Sequence, residues 1–314
     1  MIALVVLLAL YSVGWYFAAT RVQSEVDTAL QRLNDRGVIA QCANRSVGGY
    51  PLGMSLNCDA LNYEDAAHNI FVTSGALRSR ASLFNPRLVG SDLTAPLRLT
   101  APQVPPIVFD WKELRSTVTL ARPTPSEIAF AGADFKAETD PDDETDPVPL
   151  FQAASFQTVV RPVGDDLDYQ GAFANLSIDP AAVGGRQIPL LNGSGDLRVL
   201  RGVSLLRTQP DTFRNQAIEV RSLTLASGAS SVALSGPIAI GADGLINADV
   251  NVKVTDAAAL TQVLQQAFPE HAKNIGRGMM GVAFFGKNVS LPLKITNGQA
   301  ALGPIPLGNI PPLD

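Results

Sequence analysis

The chain of 314 residues carries 24 Lys and Arg against 29 Asp and Glu, a net charge of −5, which argues against the basic face that nucleic-acid binding needs. Hydrophobic residues make up 46% and charged residues 17%, so a sizeable core is expected rather than disorder. Aromatics are only 6% while Gly (26) and Pro (22) are plentiful, a mixture suited to many short strands joined by turns.

The first element is IALVVLLALYSVGWYFAA, residues 2–19, without a single charge. Roughly 20 apolar residues cross a bilayer, so a membrane anchor over residues 1–20 is expected. Trp15, Tyr16 and Phe17 stand where an interfacial aromatic belt belongs. Two rival readings stay open: a cleaved signal peptide, for which Ala18 and Ala19 are small enough, and a buried core helix. The apolar run is long for a signal h-region of ~7–15 residues. Arg21 follows the span and no Lys or Arg precedes it, so the charges do not set an orientation. Val22, Val26, Leu30 and Leu33 continue at helical spacing up to Gly37, which predicts a coupling helix over residues 21–36.

Next comes CANRSVGGYPLGMSLNC, residues 42–58, with both cysteines of the chain. Strand-like flanks around Gly48, Gly49, Tyr50 and Pro51 predict a hairpin. If it reverses near Tyr50, opposed residue numbers sum to about 100 and Cys42 faces Cys58. Opposed Cβ atoms lie ~4.5–5.5 Å apart, near the separation of a disulfide. A Cys42–Cys58 bond is therefore expected, with two free buried thiols as the alternative. Disulfides persist outside the reducing cytosol, which would put the bulk of the chain on the oxidising side.

Gly14, Trp15 and Tyr16, then Cys42, Arg45, Gly48, Gly49, Tyr50, Pro51 and Cys58, together resemble a group of proteobacterial envelope proteins known as domain of unknown function 2125. The resemblance implies a bacterial inner-membrane anchor, single-pass, with a periplasmic body, and it implies no catalytic residues.

Residues 37–133 read as a first β region. The stretch 134–149 holds seven carboxylates against one Lys and reads as an acidic loop. A calcium loop counted from Asp140 fails, because Thr145 and Phe151 stand where Gly and a bidentate acid are required. Residues 150–314 read as a second β region. Apolar residues alternate through Leu223, Leu225, Val232, Leu234, Val250, Val252 and Val254, as in a meander with one dry face. A helix near residues 256–268 is expected, buried through Leu260, Val263, Leu264 and Ala267. A hairpin turns at Asn297-Gly298, and the tail is Pro-rich and apolar. In style this run is similar to AsmA-type envelope proteins, an analogy of pattern alone.

Familiar reaction motifs are missing. His68 and His271 sit in no ligand pattern, and no GxSxG occurs. Gly276, Gly278 and Gly281 match GxGxxG, but a helix precedes them and strand-like residues follow, the reverse of a dinucleotide site. Asp165, Asp166 and Asp168 look like solvated acids of a turn. The expectation is a mainly β body with an amino-terminal transmembrane helix, no catalysis, no cofactor and no metal. Its expected role is envelope lipid handling through an apolar sheet face. The alternative is a structural or assembly factor that binds other envelope proteins.

Overall fold

The protein is described from a computed structural model covering all residues except 1, 36, 142–144, 209–211, 284–285, 304 and 314. It is mainly β and antiparallel. Two compact units divide the chain: residues 1–123 with 130–149, and residues 124–129 with 150–314.

The first unit opens with α1 (Ile2–Asn34). The expected anchor and coupling helix are thus one unbroken helix, closed by Gly37 at φ +83°, a backbone region that glycine enters without steric cost. The strands that follow are short: β1 (Val38–Cys42), β2 (Ser46–Gly48), β3 (Gly53–Cys58), β4 (Leu61–Asp65), β5 (Ile70–Ser74) and β6 (Leu77–Ser82). Then come β7 (Asn85–Leu93), β8 (Leu97–Thr100), β9 (Ile107–Asp110), β10 (Glu113–Thr119) and β11 (Glu127–Thr139).

Their pairing reveals a meander in which every long strand but the unbroken, 13-residue β11 is broken once. One half is ordered β2-β3-β6-β7-β10 and the other β1-β4-β5-β8-β9-β11. The breaks line up as a seam, and backbone bonds still join neighbouring strands within it, from Ala43 to Ala60, Gly75 to Pro96, and Thr94 to Ala76. Gly75 is required there, since a Cβ would lie 2.6 Å from the Thr94 carbonyl oxygen. Trp111 fills the seam, donating its indole N–H to the Leu93 carbonyl at 2.8 Å and stacking on Phe135.

The seam also explains the disulfide. Cys42 and Cys58 are bonded, with Cα atoms 5.2 Å apart. The register nevertheless differs from the expected one: Val47 faces Leu56 and Cys42 faces Leu61, so opposed numbers sum to 103. Asn44 and Arg45 leave the ladder at the seam, which brings the end of β1 beside the end of β3.

The second unit is a regular meander of consecutive antiparallel neighbours. Its strands are β12 (Pro149–Val163), β13 (Asp166–Ile178), β14 (Leu191–Val199), β15 (Ala217–Ser227) and β16 (Ser230–Ile240). It continues with β17 (Ile246–Thr255), β18 (Asn288–Thr296), β19 (Gln299–Leu302) and β20 (Ile305–Asn309). Inserted between strands are α2 (Gly202–Thr208), α3 (Ala257–Ala267) and α4 (Ala272–Ala283). The register puts Val232, Val254 and Val289 in one row and Leu234, Val252 and Leu291 in the next. Period-two alternation therefore makes one apolar face. Against it packs Ala257 of α3, with Val254 and Val289 as the buried centre. Asp256 caps α3, its carboxylate accepting from the Ala259 N–H at 3.1 Å.

Three expectations are corrected here. The acidic stretch begins as strand, since Asp134–Thr139 complete β11, and the turn starts only at Asp140. Residues 142–144 of that loop lie outside the described residues. Gly276, Gly278 and Gly281 lie inside α4, not between a helix and a strand, because tertiary packing overrides a cost of ~1 kcal/mol per helical glycine. The turn acids are engaged: Asp165 accepts from Ser204 at 2.8 Å and Asp166 from the Arg201 N–H at 2.9 Å, fixing the entry to α2.

Candidate functional site

The residues that stood out in the sequence meet along α1. Arg45 forms an ion pair with Asp27 of α1, holding the helix against the seam. Asn34 at the helix end accepts from the Ala40 N–H at 3.0 Å. Farther down the helix, the β2–β3 turn is docked side chain by side chain. Trp15 donates to the Gly53 carbonyl at 2.9 Å, and the Tyr11 hydroxyl donates to the Pro51 carbonyl. Ser12 and the Tyr50 hydroxyl share a bond of 2.8 Å. The Tyr50 ring meets Trp15 edge-on at 5.4 Å, a geometry favoured by the ring quadrupoles. Gly49 turns the chain at φ +99°, where a Cβ would lie 3.1 Å from the Gly53 backbone, while Gly48 sits in ordinary contact range of Ser55.

Tyr11, Ser12 and Trp15 are thus polar groups of an apolar helix, and each is spent on one hairpin. The sequence signal for this was available, because positions i, i+1 and i+4 share a helix face. Trp15 was expected in an interfacial belt. It is half-buried against the hairpin, whereas Tyr16 and Phe17 remain exposed.

Beside this docking runs a groove of about 640 Å³. One wall is the α1 stripe Tyr11, Gly14, Trp15, Ala18 and Val22, and the opposite side includes Met54, Leu56, Ala81 and Val89. The volume falls in the range of small-molecule sites, ~300–1,000 Å³. A Cβ added at Gly14 would meet nothing within 4 Å, so this glycine leaves open space at the groove wall. By helix rise, Tyr11 to Val22 spans about 16 Å.

The second unit concentrates its charge on the opposite face of its sheet from the valine rows. Asp168 accepts two bonds from Arg198, at 2.7 and 3.0 Å, and one from Arg221 at 3.2 Å. Arg198, with Arg221 behind it, holds the Asp168 carboxyl down to about 2. Arg221 also bonds Asp196 and lowers it. His68 bonds Asp65 at 2.7 Å in the β4–β5 turn and lowers that carboxyl; His271 lies in the short 3₁₀ turn before α4. Among the described residues no three His, Cys, Asp or Glu side chains gather as a metal site would require.

Helix α1 is long and apolar enough to cross a membrane, and only 6% of its apolar window is buried, unlike a core helix. A signal sequence meets the same length and composition. The sequence model of a family described as an uncharacterized protein conserved in bacteria, domain of unknown function 2125, matches residues 15–311. The match covers nearly the whole chain, and the chain belongs to that family. Among curated proteins no match was found.

Proposed function

We propose that this member of the family is a single-pass, non-catalytic protein of the bacterial inner membrane, with its body in the periplasm. In this reading it handles envelope lipid, one acyl chain lying in the groove beside α1. The observation that carries the reading is the groove wall itself, because the helix that bounds the cavity is the one suited to crossing the membrane. Acyl chains are the solvent at its lower end, and the walls offer them apolar side chains. Retention of α1 is supported by the contacts of Tyr11, Ser12 and Trp15, which a cleaved signal would forfeit. The Cys42–Cys58 bond favours an oxidising compartment.

The test is to purify the full chain in mild detergent, wash it extensively and quantify extracted phospholipid. About one lipid per chain is the expected result. A lipid-free, monodisperse protein would overturn the reading and turn attention to envelope protein partners.

A further inference from the structure

The groove is not the only feature placed at membrane depth. Three turns lie side by side at the end of the half-sheet β2-β3-β6-β7-β10. Leu83 in the β6–β7 turn donates its N–H to the Leu52 carbonyl in the β2–β3 turn, and Leu120, after β10, donates to the Arg87 carbonyl. This row carries Tyr50, Leu52, Leu83, Phe84 and Leu120 as exposed apolar side chains, with Phe84 88% exposed. On a water-facing edge such a row would be an aggregation hazard.

We infer that this row of turns dips into the outer surface of the anchoring bilayer, with Arg80 and Arg87 above it meeting anionic lipid phosphates. The inference rests on the reading that α1 stays in the membrane. Its depth follows from the helix. The turn row is bonded to α1 at Tyr11 and Ser12, and the exposed rings of Tyr16 and Phe17 mark the interface. Four to six residues at 1.5 Å each put the turns about 6–9 Å below that level. This is the depth to which interfacial elements bury their apolar faces, ~5–10 Å.

Arg80 stands three residues from the turn, or about 10 Å back along its strand, which is phosphate level. Arg87, opposite Leu120 in the row itself, has a side chain long enough to snorkel toward that level. Both are exposed and neither has an ion pair among the described residues. Backbone groups in lipid must be satisfied internally, and here they largely are. Gly53 bonds the Gly49 carbonyl and the Phe84 N–H reaches the Ser82 hydroxyl at 3.2 Å. Pro51 and Pro86 have no N–H to satisfy.

The experiment places a photoreactive benzoylphenylalanine at Phe84 in the full chain, embedded in nanodiscs of mixed phosphatidylglycerol and phosphatidylcholine. Asn69, in the turn between β4 and β5 at the other end of the strands, is the control. At least tenfold more lipid adduct at Phe84 than at Asn69 is expected. Combining R80Q and R87Q should lower the phosphatidylglycerol share of the adducts several-fold. Equal labelling at the two sites, an unchanged lipid share, or protein adducts in place of lipid would overturn the inference. Lipid copurified in the groove is measured separately. If Phe84 labels lipid while the groove is empty, the turn row stands and the lipid-handling reading fails. If the groove is filled and Phe84 is unlabelled, the reverse holds.

Discussion

The two apolar sheet faces of this protein are finished in different ways. In the second unit the valine rows are covered by the chain's own α3, and Val254, Ala257 and Val289 are buried as an ordinary core. In the first unit the half-sheet beside α1 is left with an open groove, and its far turns expose leucines and a phenylalanine. Strand regularity differs in step. The second unit runs on strands of up to 15 residues, while the first is built from short pieces across a seam. An unbroken amphipathic sheet needs only a helix on its dry face. A sheet broken along one line needs cross-chain fastenings, and the disulfide, Trp111 and the Arg45–Asp27 pair are those fastenings. The comparison separates an apolar face that is closed as core from one that is left open as a groove.

The largest expected effect falls on the first unit alone. Replacing Cys42 and Cys58 by Ser opens a loop with a sequence separation of 16, which costs about 3 kcal/mol on the chain-entropy model. Hydrogen exchange should show the seam strands opening while β12 to β20 keep their protection. Equal loss of protection in both units would erase the proposed contrast. Next is Val254→Ala, which removes buried methyl groups from the second core. About 2 kcal/mol of destabilisation is expected in urea unfolding, with transfer and cavity contributions combined, and with no change in copurified lipid. Trp15→Phe follows, costing about 1 kcal/mol for the bond to the Gly53 carbonyl. Its distinguishing readout, taken in mild detergent, is faster hydrogen exchange in the β2–β3 turn, which a role confined to the lipid interface would not produce. Gly14→Leu should leave stability within about 1 kcal/mol, since Leu is the better helix former. It should nonetheless lower lipid occupancy several-fold by filling the groove.

The smallest effect is a pH dependence in the second unit. The folded Asp168 carboxyl sits at about 2, below its ordinary 3.8. Its contribution to stability is therefore complete above pH ~5 and is lost as pH falls from about 4 toward 2. Asp168→Asn should flatten that part of the acid unfolding curve. A wild-type curve already flat there would remove the ion network from the account.

Much of this was legible because the second unit obeys a two-residue period. Leu223 to Val254 alternate, and Asn297-Gly298 turns with φ of +49° and +78° as such a dipeptide should. Helix α4 was hidden by its three glycines, whose low propensity speaks against helix until packing is known. The β2–β3 register was misread by three because no local signal says where a strand will leave its ladder. The docking of Trp15 on Tyr50 joins motifs 35 positions apart, and periodicity does not report such contacts. Both halves of the site were visible as conspicuous residues, and only their meeting was not.

The most direct test of the account labels the occupant in place. A phospholipid with a photoreactive group on its acyl chain would be supplied to the full chain in nanodiscs, and the modified residues mapped by mass spectrometry. The account predicts adducts on Met54, Leu56, Ala81 and Val89, on the sheet side of the groove. Adducts confined to exposed positions of α1 such as Leu4, Leu7 and Phe17 would mean that lipid surrounds the helix without entering the groove, and would contradict it.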